Sequence, residues 1–352
     1  MKLTISTQNR SSIIISCCNF ASLSTFKMKL FLILTLFVYS VSASRHTYIS
    51  ADLDPLTDEI IDAINALNTT WKAGANFHGS KKIKIDKLVT IQNETFNDHF
   101  TNKTYPTKLH EHLPKSFDAR VVWPNCTSIG KVYDQKKGYP SWIYAAVGSI
   151  ADRLCIQTGA EIDVEATVEQ IIRSNGGFNS KYNSANIGQA FNYWSKKGIF
   201  TAKSSKGSSC LPLSSKCNQN DFKLDKYYKV TVESPDIWLD KMRDIMVNGP
   251  LPAYMEVYSD FPSYKSGVYQ SVSHRFLGMH NVKLIGWGVE NGVHYWLVTN
   301  SWGTEWGNEG FARIRMQRAD FDESMPSVTF ELVNTPSDIP KAYQQDQLFY
   351  LA

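Results

Sequence analysis

Apolar positions divide the chain into stretches of different period. Between residues 54 and 79, Leu56, Ile60, Ile61, Ile64, Leu67 and Trp71 fall on one face of a helix, the spacing by which an amphipathic helix buries a stripe. Asp54 and Pro55 supply a cap and a first-turn proline, and Asp58 and Glu59 place negative charge where a helix N-terminus is positive. Residues 80–112 keep no period and are rich in lysine and asparagine. They read as a linker or an extended segment lying over something else. From Leu113 the texture changes to dense tryptophan, glycine and apolar runs.

Residues 140–159 read as a long buried helix, with proline near its start, Ala145, Ala146 and Val147 in its middle and Gly159 as its stop. A second helix spans 186–197, where Ile187, Ala190, Phe191 and Trp194 keep helical spacing, Lys196 and Lys197 suit the last turn and Gly198 follows. A third spans 236–248, with Trp238, Met242, Ile245 and Met246 on one face and Gly249-Pro250 beyond. After residue 250 the period becomes two. Leu251, Ala253, Met255 and Val257 alternate with Tyr254, Glu256 and Tyr258, and 282–287, 294–299 and 311–316 are further strand candidates punctuated by glycine. Helices followed by strands indicate an α+β class: a helical half and a β half, with room for a cleft between them.

Composition narrows the picture. At roughly 150 residues per domain, 352 residues suggest about two domains. An apolar share of 43% against 20% charged excludes a wholly disordered chain, and a net charge of +4 gives no reason to expect a nucleic-acid partner. The residues Met28-Lys29-Leu30-Phe31-Leu32-Ile33-Leu34 open a short apolar run that ends in Val41-Ser42-Ala43. A positive charge, a short apolar run and small residues form a secretory signal cut after Ala43, with Met28 the expected start. The run is too short for a membrane span, so no membrane partner is expected. Four sequons, at Asn68, Asn93, Asn102 and Asn125, fit passage through the secretory pathway. Cys17 and Cys18 precede the signal. The remaining four, Cys126, Cys155, Cys210 and Cys217, form an even set in an oxidising compartment. We pair Cys126 with Cys155 and Cys210 with Cys217, which leaves no free thiol. No His, Cys, Asp and Glu set has metal-ligand spacing, and neither metal nor cofactor is expected.

Several separate motifs carry a likeness. Leu113-Pro114-Lys115-Ser116-Phe117-Asp118-Ala119-Arg120 resembles the start of a mature cathepsin B. Asp134-Gln135 ahead of Ser141-Trp142, then Asp152-Arg153-Leu154-Cys155-Ile156, Tyr258-Ser259-Asp260-Phe261, Tyr264-Lys265-Ser266-Gly267-Val268-Tyr269-Gln270 and Gly286-Trp287-Gly288-Val289-Glu290-Asn291-Gly292 continue it. Asn300-Ser301-Trp302-Gly303 resembles the asparagine–tryptophan motif of the papain family, and Asn68-Thr69-Thr70-Trp71-Lys72-Ala73-Gly74 resembles a cathepsin B propeptide. The likeness to the cathepsin B branch of the papain family covers roughly residues 54–332. His280 stands 139 residues past Ser141, inside the spacing of about 130–150 known for papain and the cathepsins themselves, and Asn300 stands slightly beyond it.

The resemblance implies a two-lobed papain-like fold, a helical lobe and a β-barrel-like lobe with the cleft between. It implies a signal region over 1–43, a propeptide over 44–112 and a peptidase domain over 113–352. It also implies roles: His280 as the base that holds a thiolate, Asn300 orienting it, and Gln135 stabilising the oxyanion. The nucleophile position, however, carries Ser141. A serine hydroxyl is far less acidic than a thiol, and Asn300 supplies no charge behind the histidine such as serine proteases use.

The expected cleft wall departs from the family as well. Tyr139 stands for a glycine, and Tyr182-Asn183-Ser184-Ala185 for Cys-Asn-Gly-Gly. Gly138 and Tyr182 replace both halves of a family disulfide. Met279 stands where cathepsin B has glycine, Asn281 for alanine, and Met325 for the acidic residue of the specificity pocket. Trp142 and Trp302 complete the expected cleft lining, Trp302 shielding the histidine–asparagine bond. His274 and His294 are read as having no function. Residues 203–226 hold no histidine, so the carboxydipeptidase activity of a cathepsin B occluding loop is not expected. The reading is a secreted or lysosomal, catalytically impaired peptidase homologue whose partners are its own propeptide and a peptide or protein in the cleft. The alternatives are a slow peptidase using Ser141, His280 and Asn300, and a surface-interaction protein whose cleft is irrelevant.

Overall fold

The computed structural model describes residues 48–77, 88–89, 101–103, 113–135, 139–159, 162–174, 187, 191, 194–195, 223–230, 237–316 and 327–333. The first helix, α1 (Asp58–Asn65), buries Ile60 and Ile64. Its cap is Thr57, whose hydroxyl accepts the Ile60 N–H at 3.4 Å. The expected start at Asp54-Pro55 is corrected by Leu56, whose φ of 64° turns the chain before the helix can begin. Trp71 is also not on the helix face. The chain leaves α1, and Trp71 opens strand β1 (Trp71–Ala73). Asn65 enforces that turn: its side chain bonds both the carbonyl and the N–H of Ala73, at 3.0 and 3.1 Å.

The remaining strands are β2 (Thr101–Lys103), β3 (Phe117–Asp118), β4 (Lys223–Val230), β5 (Leu251–Tyr258), β6 (Tyr264–Tyr269), β7 (Phe276–Glu290), β8 (Val293–Thr299), β9 (Phe311–Arg315) and β10 (Ser327–Val333). They form one sheet in the order β1-β6-β9-β8-β7-β5-β10-β4-β2, with β3 on β7. In β5 the expected alternation holds, and Leu251, Ala253, Met255 and Val257 are buried. β7 extends well beyond the expected 282–287. It pairs β5, β8 and β3 and is buried from Gly278 through Gly288. Such a strand shows no alternation to read. Gly286 marks where β3 crosses closely: a Cβ there would lie 2.0 Å from the Phe117 carbonyl oxygen.

The other helices are α2 (Ala119–Val122), α3 (Ser141–Thr158), α4 (Val164–Ser174) and α5 (Ile237–Asn248). α3 follows the expected limits, with Pro140 at its N-cap and Gly159 at φ 70° closing it. Of the expected helix over 186–197, Ile187, Phe191 and Trp194 are helical and buried, and the rest lies largely outside the described residues. The long helix is fastened to the β half by charge. The Arg153 guanidinium meets Asp244 of α5 at 2.5 Å and donates to the carbonyls of Pro250 and Gly249. Beside it Asp152 meets Lys283 of β7 at 2.6 Å. All four side chains are buried. A buried pair that loses one partner leaves an uncompensated charge, so these contacts hold the C-terminal half of α3 against α5 and β7.

Candidate active site

At the opposite end of α3, its first residue Ser141 lies beside the middle of β7. The Ser141 Oγ accepts the backbone N–H of Asn281 at 3.0 Å. His280, the neighbour of Asn281 on β7, is fully buried, and its Nε2 lies 2.7 Å from the Asn300 Oδ1. The same oxygen accepts the Ser301 backbone N–H, also at 2.7 Å. A backbone N–H only donates, so this contact fixes which amide atom of Asn300 is oxygen. It follows that Nε2 carries the histidine proton and that neutral His280 has its lone pair on Nδ1. Nδ1 has no hydrogen-bond partner among the described residues. Trp302 covers the ring, with centroids 4.7 Å apart.

Burial pushes the His280 imidazole down from 6.5 to about 4, because the charged form would lose its hydration. The bond to Asn300 opposes that shift, as does the Leu88 carbonyl, which can accept from Nδ1 only once the ring is charged. Gln135 reaches the site from the other side. Its backbone N–H bonds the Ser301 carbonyl at 2.8 Å and its Oε1 accepts the Ser301 hydroxyl at 2.5 Å. Thus held, the Gln135 Nε2 donates to the carbonyl of Leu88 at 3.4 Å. Gln135, Ser141, His280 and Asn300 are therefore gathered around one point, and a backbone carbonyl from the N-terminal region already faces it.

Ser301 and Leu88 were not singled out by the sequence. Ser301 stood inside a recognised motif, but only the geometry shows its hydroxyl orienting Gln135. Leu88 lies in the stretch without a period and acts through its backbone, which leaves no side-chain signal. Among the expected lining residues, Trp142, Met279, Asn281 and Trp302 are buried and Tyr139 is half-buried. Tyr139 packs with Ile162 and Ile172 against the α3–α4 cluster. Cys126 is bonded to Cys155, as expected. Ser184, Ala185, Met325, Cys210 and Cys217 lie outside the described residues, as does the signal region over 1–43. His274 stacks on Tyr48 at 3.7 Å, a contact to the N-terminal segment. Among the described residues, no group of three or more His, Cys, Asp or Glu could hold a metal, and no helix is long and apolar enough to cross a membrane.

A family model described as papain family cysteine protease matches residues 113–328, and one described as peptidase family C1 propeptide matches residues 56–86. A cathepsin B-like cysteine proteinase of Schistosoma japonicum is 31% identical over 300 residues, 74% of this chain and 86% of that protein. Cathepsin B-like cysteine proteinase 3 of Caenorhabditis elegans is 32% identical over 294 residues, 73% and 77% of the two chains. The solved proCathepsin B S9 from Trypanosoma congolense superposes with a TM-score of 0.62 at 27% identity, covering 79% of this chain and 99% of that one. The recombinant stem bromelain precursor, at 19% identity and a TM-score of 0.56, shares the fold; it spans 90% of this chain and 95% of its own.

Proposed function

The chain belongs to the papain family of cysteine proteases, with cathepsin B-like relatives and a propeptide segment, and we propose that it is a catalytically impaired member that binds peptides or a protein through a remodelled cleft. The observation that carries this reading is Ser141: it opens α3 where the family nucleophile is expected, and its oxygen accepts a backbone N–H from Asn281. Peptide cleavage by this family begins with a thiolate attacking the carbonyl carbon, while the imidazolium formed beside it later protonates the leaving amine. A helix N-terminus lowers a thiol's pKa enough to prepare that ion pair. It cannot do so for a hydroxyl, whose pKa is far higher. His280 then has no anion to stabilise its charged form, in keeping with the drop to about 4.

The prosegment supports the same reading. Residues 71–73 add a strand to the sheet edge at β6, the Trp71 indole N–H donates to the Gln270 carbonyl at 2.9 Å, and Leu88 sits against Gln135. The Leu88 carbonyl takes up the Gln135 side-chain N–H that would otherwise serve an oxyanion. A chain lacking the thiol has no means of cutting this segment away itself, so a ligand gains the cleft only after another protease acts. We further propose entry into the secretory pathway, ending outside the cell or in lysosomes, from the signal pattern, the sequons and the Cys126–Cys155 bridge.

One observation favours a second reading, a slow serine-type hydrolase. Neutral His280 keeps a lone pair on Nδ1, and Gln135 and Asn300 are in place, so a weak base and an oxyanion donor coexist with Ser141. Titrating the prosegment-free protein with an extended peptide tests the main reading. Saturable binding that Tyr139→Gly or Met279→Gly alters supports it, and absence of binding rejects the cleft as a binding site.

A further inference from the structure

A cavity of about 10 Å³ is lined by residues that include Tyr133, Tyr144, Lys283, Thr299 and Asn300. That is room for about one water molecule. The Tyr144 hydroxyl, Thr299 Oγ1 and Asn300 Nδ2 of the lining have no hydrogen-bond partner among the described residues, and the last two belong to adjacent residues, Thr299 and Asn300. Both residues are more than nine-tenths buried. Asn300 cannot correct this by rotating its amide, because Oδ1 is held by Ser301 and His280 together. Nor is the Lys283 ammonium at liberty to serve as a neighbour. It is committed to Asp152 at 2.6 Å and to the Ser128 carbonyl at 3.2 Å.

We propose that one buried water is a resident part of this site, accepting from the Asn300 Nδ2–H and donating to the Thr299 Oγ1, and that Thr299 is thereby a positioning residue for Asn300. Buried donors and acceptors are nearly always satisfied, and a water with two or more polar partners in a space of this size is the ordinary solution. The geometry gives the water a task. The Asn300 amide must keep its oxygen toward His280. A hydrogen bond on the opposite end of the amide resists its rotation, and that bond is anchored through Thr299. In this role Thr299 acts on His280 through Asn300. The water would be present whether or not the chain hydrolyses peptides.

A crystal structure of the full chain at atomic resolution tests the site directly. The expected result is a density peak about 3 Å from both Asn300 Nδ2 and Thr299 Oγ1. The peak is retained in Thr299→Ser and lost in Thr299→Val. No peak in the wild-type chain, or a peak unmoved in Thr299→Val, overturns the proposal. The wild-type density decides the water even if Thr299→Val does not fold. The positioning role has its own readout, the NMR titration of His280. Thr299→Val lowers its midpoint below the wild-type value, since the bond to Asn300 favours the charged ring, and Thr299→Ser restores it. An unchanged midpoint in a folded Thr299→Val protein that has lost the water removes Thr299 from that role.

Discussion

Acidification is the perturbation that reports most sharply on the buried imidazole. His280 is wholly buried, and its pKa falls from an ordinary 6.5 to about 4, chiefly because burial penalises the charged ring. A group with a depressed native pKa contributes stability that is intact above its unfolded value and is lost as pH falls through the native one. Here the unfolded chain takes up the proton from about pH 6.5 downward, while the folded chain resists until about pH 4. At ~1.4 kcal/mol per pH unit, that gap is worth about 3 kcal/mol. The assay is urea unfolding of the wild type and of His280→Gln between pH 7.5 and pH 4. The seven other histidines and the carboxylates titrate in both proteins, so the difference between the two pH profiles isolates His280. The wild type should lose about 3 kcal/mol more than the variant across the window. Parallel profiles, or an NMR midpoint for His280 near 6.5, would refute the reasoning.

Other perturbations follow from the same contacts. Ser141→Cys places a thiol at the N-terminus of α3 beside His280; the thiol should alkylate well below its ordinary pKa and the His280 midpoint should rise, both read by pH-dependent alkylation and NMR. Asp244→Asn leaves the Arg153 guanidinium buried without its counter-charge, and a loss of about 3–5 kcal/mol is expected in denaturant unfolding. Trp71→Ala removes an indole that is 1% exposed and packed near Tyr264 and Tyr269. It should cost about 3–5 kcal/mol and speed proteolytic release of the prosegment, followed by mass spectrometry.

What the sequence showed and what it hid have physical causes. The limits of α3 were legible because Pro140 and Gly159 act locally, one as a cap and the other through a left-handed backbone. β5 was legible because from Ala253 onward its buried residues fall at every second position. The extent of β7 was not, because a strand buried on both faces and paired on both edges has no period. Trp71 was misplaced because its spacing from Ile64 and Leu67 continues a helical pattern past the end of α1, and the reversal is set by Asn65 bonding Ala73. Gln135, Ser141, His280 and Asn300 could be named from their motifs, and the fold brings them together. Nothing in those motifs disclosed that the Ser141 oxygen is held by Asn281, that Ser301 orients Gln135, or that Leu88 covers the site. All three involve backbone atoms or contacts between distant segments.

The most direct measurement is hydrolysis of a fluorogenic dipeptide by the processed, prosegment-free protein, run beside Ser141→Ala. A chain that kept the papain scaffold without its thiol should show no turnover above that variant. Turnover at rates ordinary for cysteine cathepsins, abolished by Ser141→Ala, would contradict the account at its root.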